Sequence, residues 1–287
     1  MTKNGGKSFN WHSGSELPSY KEIPTLYEYM PLESKYIGTL KAKSLFVSNP
    51  KSFNDPFDCW AHIDTASVSS EELAIILTRL SKIHKGIASP EDIVKIILNY
   101  ERNRGSIPLI DTLGDGFRAV AETLGVLCFS SEWDSFLMWS HYAKSHTGIC
   151  IGYKREGLKI EGGSEKALPI QYKPAIIDLR HVYTAQGGSI SDEAAIAFLH
   201  TKNKDWEYER EWRLITEKEY SGKRMEWDDC GAQIVEVIFG LKTPQLEIDN
   251  FIRLLRELEL KVNCVLLAYN PKENKIFRDK EFSSYRI

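Results

Sequence analysis

The sequence predicts an α+β fold, with a mostly antiparallel central sheet and a helical insertion. Three observations predict it. Short runs rich in Val, Ile, Cys and aromatic residues, such as VLCFSS at 126–131, GICIGY at 148–153 and IVEVIFG at 234–240, have the length and composition of strands. Residues 69–100 instead carry apolar positions at helical spacing. Strand-rich and helix-rich stretches are grouped, without the regular βαβ alternation of a parallel sheet.

The first 24 residues are rich in Gly, Ser and Lys and read as a flexible arm, leaving 25–287 as one domain with its insertion at about 69–123. A strand is expected at 25–29, a helix at 33–41 and a second strand at 44–47. The loop NPKSFNDPFD at 49–58 follows, its two prolines and two asparagines dictating a turn. Two amphipathic helices, each opened by Ser with Glu or Asp in its first turn, fill the insertion, and a third is expected over 109–122. A short helix at 135–144 separates the strands at 126–131 and 148–153. PIQYK at 169–173 adds a strand. A Ser-capped helix at 191–202 leads into WEYEREWRLI at 206–215, and the chain closes with the strand at 234–240, a helix at 245–259 and the strand VNCVLLAY at 262–269.

With 287 residues, 42% hydrophobic and 27% charged, the chain is long enough for a sizeable core. A net charge of -3 gives no global drive toward nucleic acid or an anionic membrane, so nucleic acid is neither implied nor excluded. No run approaches the ~20 apolar residues of a membrane span. Five cysteines without C-x-x-C spacing read as buried thiols; with a start that lacks a leader's apolar core, they predict a cytoplasmic protein.

The residues that invite chemistry lie in three segments. Read as one strand, WEYEREWRLI places Glu207, Glu209, Glu211 and Arg213 on one face and Trp206, Tyr208, Trp212 and Leu214 on the other. Aligned carboxylates repel and resist desolvation, so three together call for a use or for compensating cations. The NDPFD loop presents Asn54, Asp55 and Asp58 within one turn. The segment SFLMWSHYAKSHTG at 135–148 adds Trp139, Ser140, His141 and Tyr142, of which His141 is the candidate acid or base. No H-E-x-x-H, paired Cys, Walker loop, G-x-G-x-x-G or G-x-S-x-G is present, so no metal site is assigned and a nucleophilic triad is unsupported.

LYEYMPL at 26–32, LFVSNPKSFNDPFD at 45–58, LCFSS with LMWSHYAKSHTGICIGY up to Tyr153, and WEYEREWRLI together resemble the domain-of-unknown-function family 2971, over about residues 25–270. That family looks similar in overall pattern to the ADP-ribosyltransferase superfamily. This second resemblance implies a split sheet with NAD⁺ held in its cleft, and a late-strand E-x-E pair matched by Glu209 and Glu211. Glu211 would stabilise the ribose as nicotinamide leaves, and Glu209 would orient or deprotonate the acceptor. Tyr27 or Tyr29, Ser130 and Tyr142 would contact the dinucleotide, with Asn54, Asp55, Asp58, Trp139 and Arg213 completing the cofactor-binding set. The first strand departs from the superfamily pattern in having no His or Arg.

The implied function is a cytoplasmic NAD-dependent ADP-ribosyltransferase or NAD glycohydrolase, with a dinucleotide and an unassigned acceptor as partners. Two alternatives come from the residues alone. Asp55, Asp58, Glu209 and Glu211 could hold Mg²⁺ for a nuclease or phosphodiesterase. In a non-enzymatic binding module, the tryptophans would line a pocket and the carboxylates would only pair with arginines.

Overall fold

A computed structural model of the chain describes residues 23–59, 62–64, 68–83, 89–103, 122–160, 166–174, 176–178, 199–216 and 218–279. Residues 1–22 of the arm expected at 1–24, most of the expected helix at 109–122 and most of that at 191–202 lie outside the described residues.

The fold is α+β. Its main sheet has eight strands: β1 (Thr25–Met30), β4 (Gly125–Ser130), β5 (Ile149–Lys154), β6 (Leu168–Pro169), β10 (Glu211–Thr216), β12 (Ile234–Phe239), β13 (Asn263–Asn270) and β14 (Lys275–Arg278). Their order across the sheet is β14-β13-β12-β5-β1-β4-β10-β6. Every pairing is antiparallel except that of β12 with β13. Three two-stranded pairs join β2 (Ser44–Phe46) to β11 (Arg224–Glu226), β3 (His62–Asp64) to β8 (Ile176–Asp178), and β7 (Gln171–Tyr172) to β9 (Thr201–Lys202).

Alternation on the strands sorts the core onto two faces. On one, Leu26, Leu127, Phe129, Ile151, Trp212 and Leu214 join the larger cluster, which is covered by helix α6 (Gln245–Glu257) through Ile248, Phe251 and Leu255. Helix α1 (Ser34–Lys41) and β2 extend that cover through Leu40 and Leu45. On the other, Tyr27, Tyr29, Cys150 and Ile238 meet Met138 and Trp139 of helix α4 (Phe136–His141), which Ser135 caps by accepting from the Met138 N–H. Helices α2 (Ser70–Ile83) and α3 (Pro90–Asn103) form the insertion, each opened by a reciprocal capping box, Ser69 with Glu72 and Ser89 with Asp92. The four-residue helix α5 (Trp227–Cys230) completes the described helices.

Three sequence expectations are corrected. Residues 206–215 are not one strand: Lys204–Glu209 is a 3₁₀ helix, Arg210 takes a left-handed conformation at φ 46°, and β10 starts only at Glu211. Lys202 is not the end of a helix but lies in β9, beside Tyr172 of β7. The strand expected at 169–173 breaks at Ile170 into β6, which pairs with β10, and β7, which turns to β9 as its partner. One βαβ unit does occur, since α6 crosses from β12 to its parallel neighbour β13.

Candidate functional site

The face of β10 that turns away from Trp212 and Leu214 carries Glu211 and Arg213, with Cys128 and Ser130 beside them on β4. Three other segments close over it: the 49–59 loop brings Asp58 and Cys59, β9 brings Lys202, and the 3₁₀ turn brings Glu209. The result is a buried ion cluster of three carboxylates and two cations, with side-chain exposures of 0–6%.

Its hydrogen bonds decide what each group is free to do. Arg213 Nε donates to Glu211 Oε1 at 2.6 Å, Nη2 donates to Glu211 Oε2 at 3.0 Å and to Asp58 Oδ2 at 2.7 Å, and Nη1 donates to the Leu199 carbonyl at 3.0 Å and to Cys59 Sγ at 3.3 Å. That uses all of its N–H groups. Lys202 Nζ donates to Glu209 Oε2 at 2.6 Å and to Glu211 Oε2 at 3.0 Å, and its ammonium lies 3.2 Å from Asp58 Oδ2. Glu211 is saturated on the acceptor side: both oxygens are engaged by Arg213, Lys202 adds a bond, and the Cys128 thiol adds another. Glu209 is not saturated. It accepts from Lys202 on one oxygen and from the Tyr142 hydroxyl, at 2.5 Å, on the other.

The acidities follow the same division. Burial works against charge on Glu211, yet Arg213 and Lys202 overcome it and hold the carboxyl down to about 2. For Glu209 burial prevails over Lys202, and with Glu211 nearby the carboxyl is raised above its ordinary range. Lys202 is held well above the usual lysine range, since Glu211 and Asp58 outweigh its burial. His200 is pushed down to about 4 by burial and then by Arg213, which keeps it neutral. Burial raises the Cys59 thiol to about 12, so it is no nucleophile.

A path of polar atoms leads outward from Glu209. Tyr142 donates to Glu209, and Asn54 Nδ2, on the exposed loop, donates to the Tyr142 hydroxyl at 3.3 Å. Beside this path Asn54, Asp55, Asp58 and Cys59 line a cleft of about 150 Å³, with Phe53 and Lys51 at its rim. Around the Tyr142 side stand His141, Tyr208 and Trp206, with ring centroids 6.2 Å apart for His141 and Tyr208 and 6.0 Å apart for Tyr208 and Trp206.

Six of the residues picked out from the sequence therefore meet: Asn54, Asp58, Tyr142, Glu209, Glu211 and Arg213. Ser130 is adjacent, its hydroxyl donating to the Glu209 carbonyl at 2.7 Å, and Asp55 lines the cleft while accepting from the Phe57 N–H. Arg213 was expected to bind a cofactor, but it is fully buried and its donors are spent. His141 is exposed and stays outside the ion cluster. Tyr27, Tyr29 and Trp139 lie in the second core cluster, where they donate to Glu236, to the Glu132 carbonyl and to the Trp133 carbonyl.

Residues 138–214 match the family model of DUF2971, a protein of unknown function. The DUF2971 match is shorter than the span of about 25–270 expected from the sequence motifs. It takes in Tyr142, Lys202, Glu209, Glu211 and Arg213, while Asn54, Asp58 and Cys59 reach the cluster from outside it. No curated protein and no solved structure matches the chain.

Lys202, Tyr172 and Cys59 were missed at the sequence level. Tyr172 accepts from the Glu211 N–H at 2.7 Å and so fixes the start of β10. The signal that could have found Lys202 is charge balance, because three convergent carboxylates need more than the single cation of Arg213.

Proposed function

We propose that this protein acts on the nicotinamide–ribose bond of NAD⁺, as an ADP-ribosyltransferase or NAD glycohydrolase, with Glu209 as the working carboxylate. The observation that carries the reading is the cluster's charge: three carboxylates face two cations, which leaves one negative charge in a water-poor setting. Cleavage of the glycosidic bond builds positive charge on the ribose, and a fixed anion stabilises that charge more than it stabilises the ground state. Glu209 has acceptor capacity left for it; Glu211 has none and is assigned to hold Lys202 and Arg213 in place. Burial, which raises the Glu209 carboxyl above its ordinary range and so makes it more basic, also suits it to take a proton from water or an acceptor hydroxyl through Tyr142. The cleft has room for one ring rather than a dinucleotide, and Trp206, Tyr208 and His141 offer stacking surface outside it. The split-sheet arrangement and a cytoplasmic setting, suited to five free cysteines, belong to the same proposal.

The test is turnover of NAD⁺ followed by proton NMR of released nicotinamide, with and without candidate acceptors. Glu209→Gln is expected to lower the rate at least about a hundredfold while leaving the circular dichroism spectrum unchanged. Wild-type protein that neither releases nicotinamide nor binds NAD⁺ in calorimetry would end the proposal.

A non-enzymatic module is the second reading, favoured by the fact that both cations are paired with carboxylates inside the protein. It expects Glu209→Gln to change stability alone. The Mg²⁺ reading draws no support: Lys202 occupies the point where the three carboxylates converge. Among the described residues no group of His, Cys, Asp and Glu is placed to hold a metal ion.

A further inference from the structure

Glu28, half-buried, stands where the strand pattern asks for an apolar residue. On β1 it alternates with Leu26 and Met30, both in the larger core cluster, and it faces Ile151 across the β5 ladder. The cover above it is α1 with β2, and between cover and sheet lies a cavity of about 20 Å³ bordered by Tyr36, Thr39, Leu40, Ser44, Leu45 and Phe46. That volume holds about one water molecule.

Among the described residues, donors for an ionised carboxylate are scarce there. Tyr153 donates to Glu28 Oε2 at 3.1 Å. The hydroxyls of the cover are already committed, Thr39 to the Lys35 carbonyl and Ser44 to the Thr39 carbonyl. Lys35 lies over the rings of Tyr36 and Phe46, at 5.5 and 5.0 Å. Arg224 of β11 reaches α1 at Gly38, its Nη2 3.5 Å from where a Cβ would stand. The remaining titratable neighbours, Cys150 on β5 and Cys230 on α5, are buried thiols that supply no positive charge.

We propose that Glu28 is a proton-operated latch: with its carboxyl protonated, α1 and β2 close over the sheet, and ionisation opens this cover to water. Burial raises the carboxyl to about 7, with the Tyr153 hydrogen bond pulling it part of the way back. Because the proton is held more tightly in the closed form than in a solvated chain, closure is fully favoured below the ordinary carboxylate range. It weakens as pH rises and levels off above about 7.

The experiment is amide hydrogen–deuterium exchange on the full chain from pH 5 to 8.5, corrected for intrinsic exchange and read at residues 38–41 and 44–46. Protection there is expected to fall about a hundredfold in the wild type, while β12 and β13 stay unchanged. Glu28→Gln should be flat. An equal pH response in Glu28→Gln, or none in the wild type, overturns the latch. Should Glu28→Gln fail to fold, Tyr153→Phe decides: without its donor the closed form binds the proton more tightly, so the response must grow and its plateau move to higher pH. An unchanged profile rejects the proposal.

Discussion

Arg213 shows how far the ion cluster depends on geometry as well as charge. Its planar fork serves Glu211 with two N–H groups while a third reaches Asp58, and its cation lies 5.2 Å from the centre of the Phe53 ring. Arg213→Met would leave two buried carboxylates short of their partner, at a cost of roughly 3–5 kcal/mol. Arg213→Lys is expected to recover less than half of that, because an ammonium cannot reproduce the fork. Urea unfolding of the three proteins measures both, and full recovery by lysine would show that charge alone suffices. At this scale the sequence was legible where a rule of spacing applied. Glu209, Glu211 and Arg213 were grouped by their period of two, and the NDPFD loop by its turn chemistry. Lys202 escaped because it lies on β9 while Glu209 lies on the 3₁₀ turn, so no single strand or helix period relates the two.

The break between the 3₁₀ turn and β10 is the element that separates the roles of the two glutamates. Arg210 takes φ 46°, its carbonyl accepts from the Ser131 N–H, and its exposed guanidinium pairs with Glu207 at 3.5 Å. A left-handed residue costs a β-branched side chain more than an unbranched one, and glycine nothing. Arg210→Val is therefore expected to destabilise the protein by about 1–2 kcal/mol, and Arg210→Gly to leave it within about 0.5 kcal/mol of wild type. Denaturant midpoints check this, and equal effects of the two would show that the turn's conformation is not what matters. Strands with strong β composition were read within a residue or two at each end, as was α6. WEYEREWRLI was misread because its aromatic and charged alternation also suits a tight 3₁₀ turn leading into a strand. What ended the turn was tertiary: Tyr172 accepting from the Glu211 N–H and Ser130 donating to the Glu209 carbonyl.

At the scale of the whole molecule, composition and grouping conveyed the α+β class, but not the order in which strands lie. β1 sits between β5 and β4, although more than ninety residues separate it from either. Local periodicity carries no information about such partners, which are chosen by the complementarity of whole faces. Among the described residues no helix is long and apolar enough to cross a membrane. The Asp58–Arg213 ion pair joins positions 155 residues apart, with most of the sheet's strands between them in sequence or added after them. An ion pair of that separation closes a very long loop, and its charges must shed water before they meet, so it belongs to the last steps of assembly. Asp58→Asn should then speed unfolding while leaving the refolding rate within about twofold, as stopped-flow fluorescence would show; slower refolding would instead place the pair in the nucleus. The cluster therefore acts as a clasp fastened after the fold is complete, so that its integrity governs how long a folded molecule lasts rather than how quickly one forms.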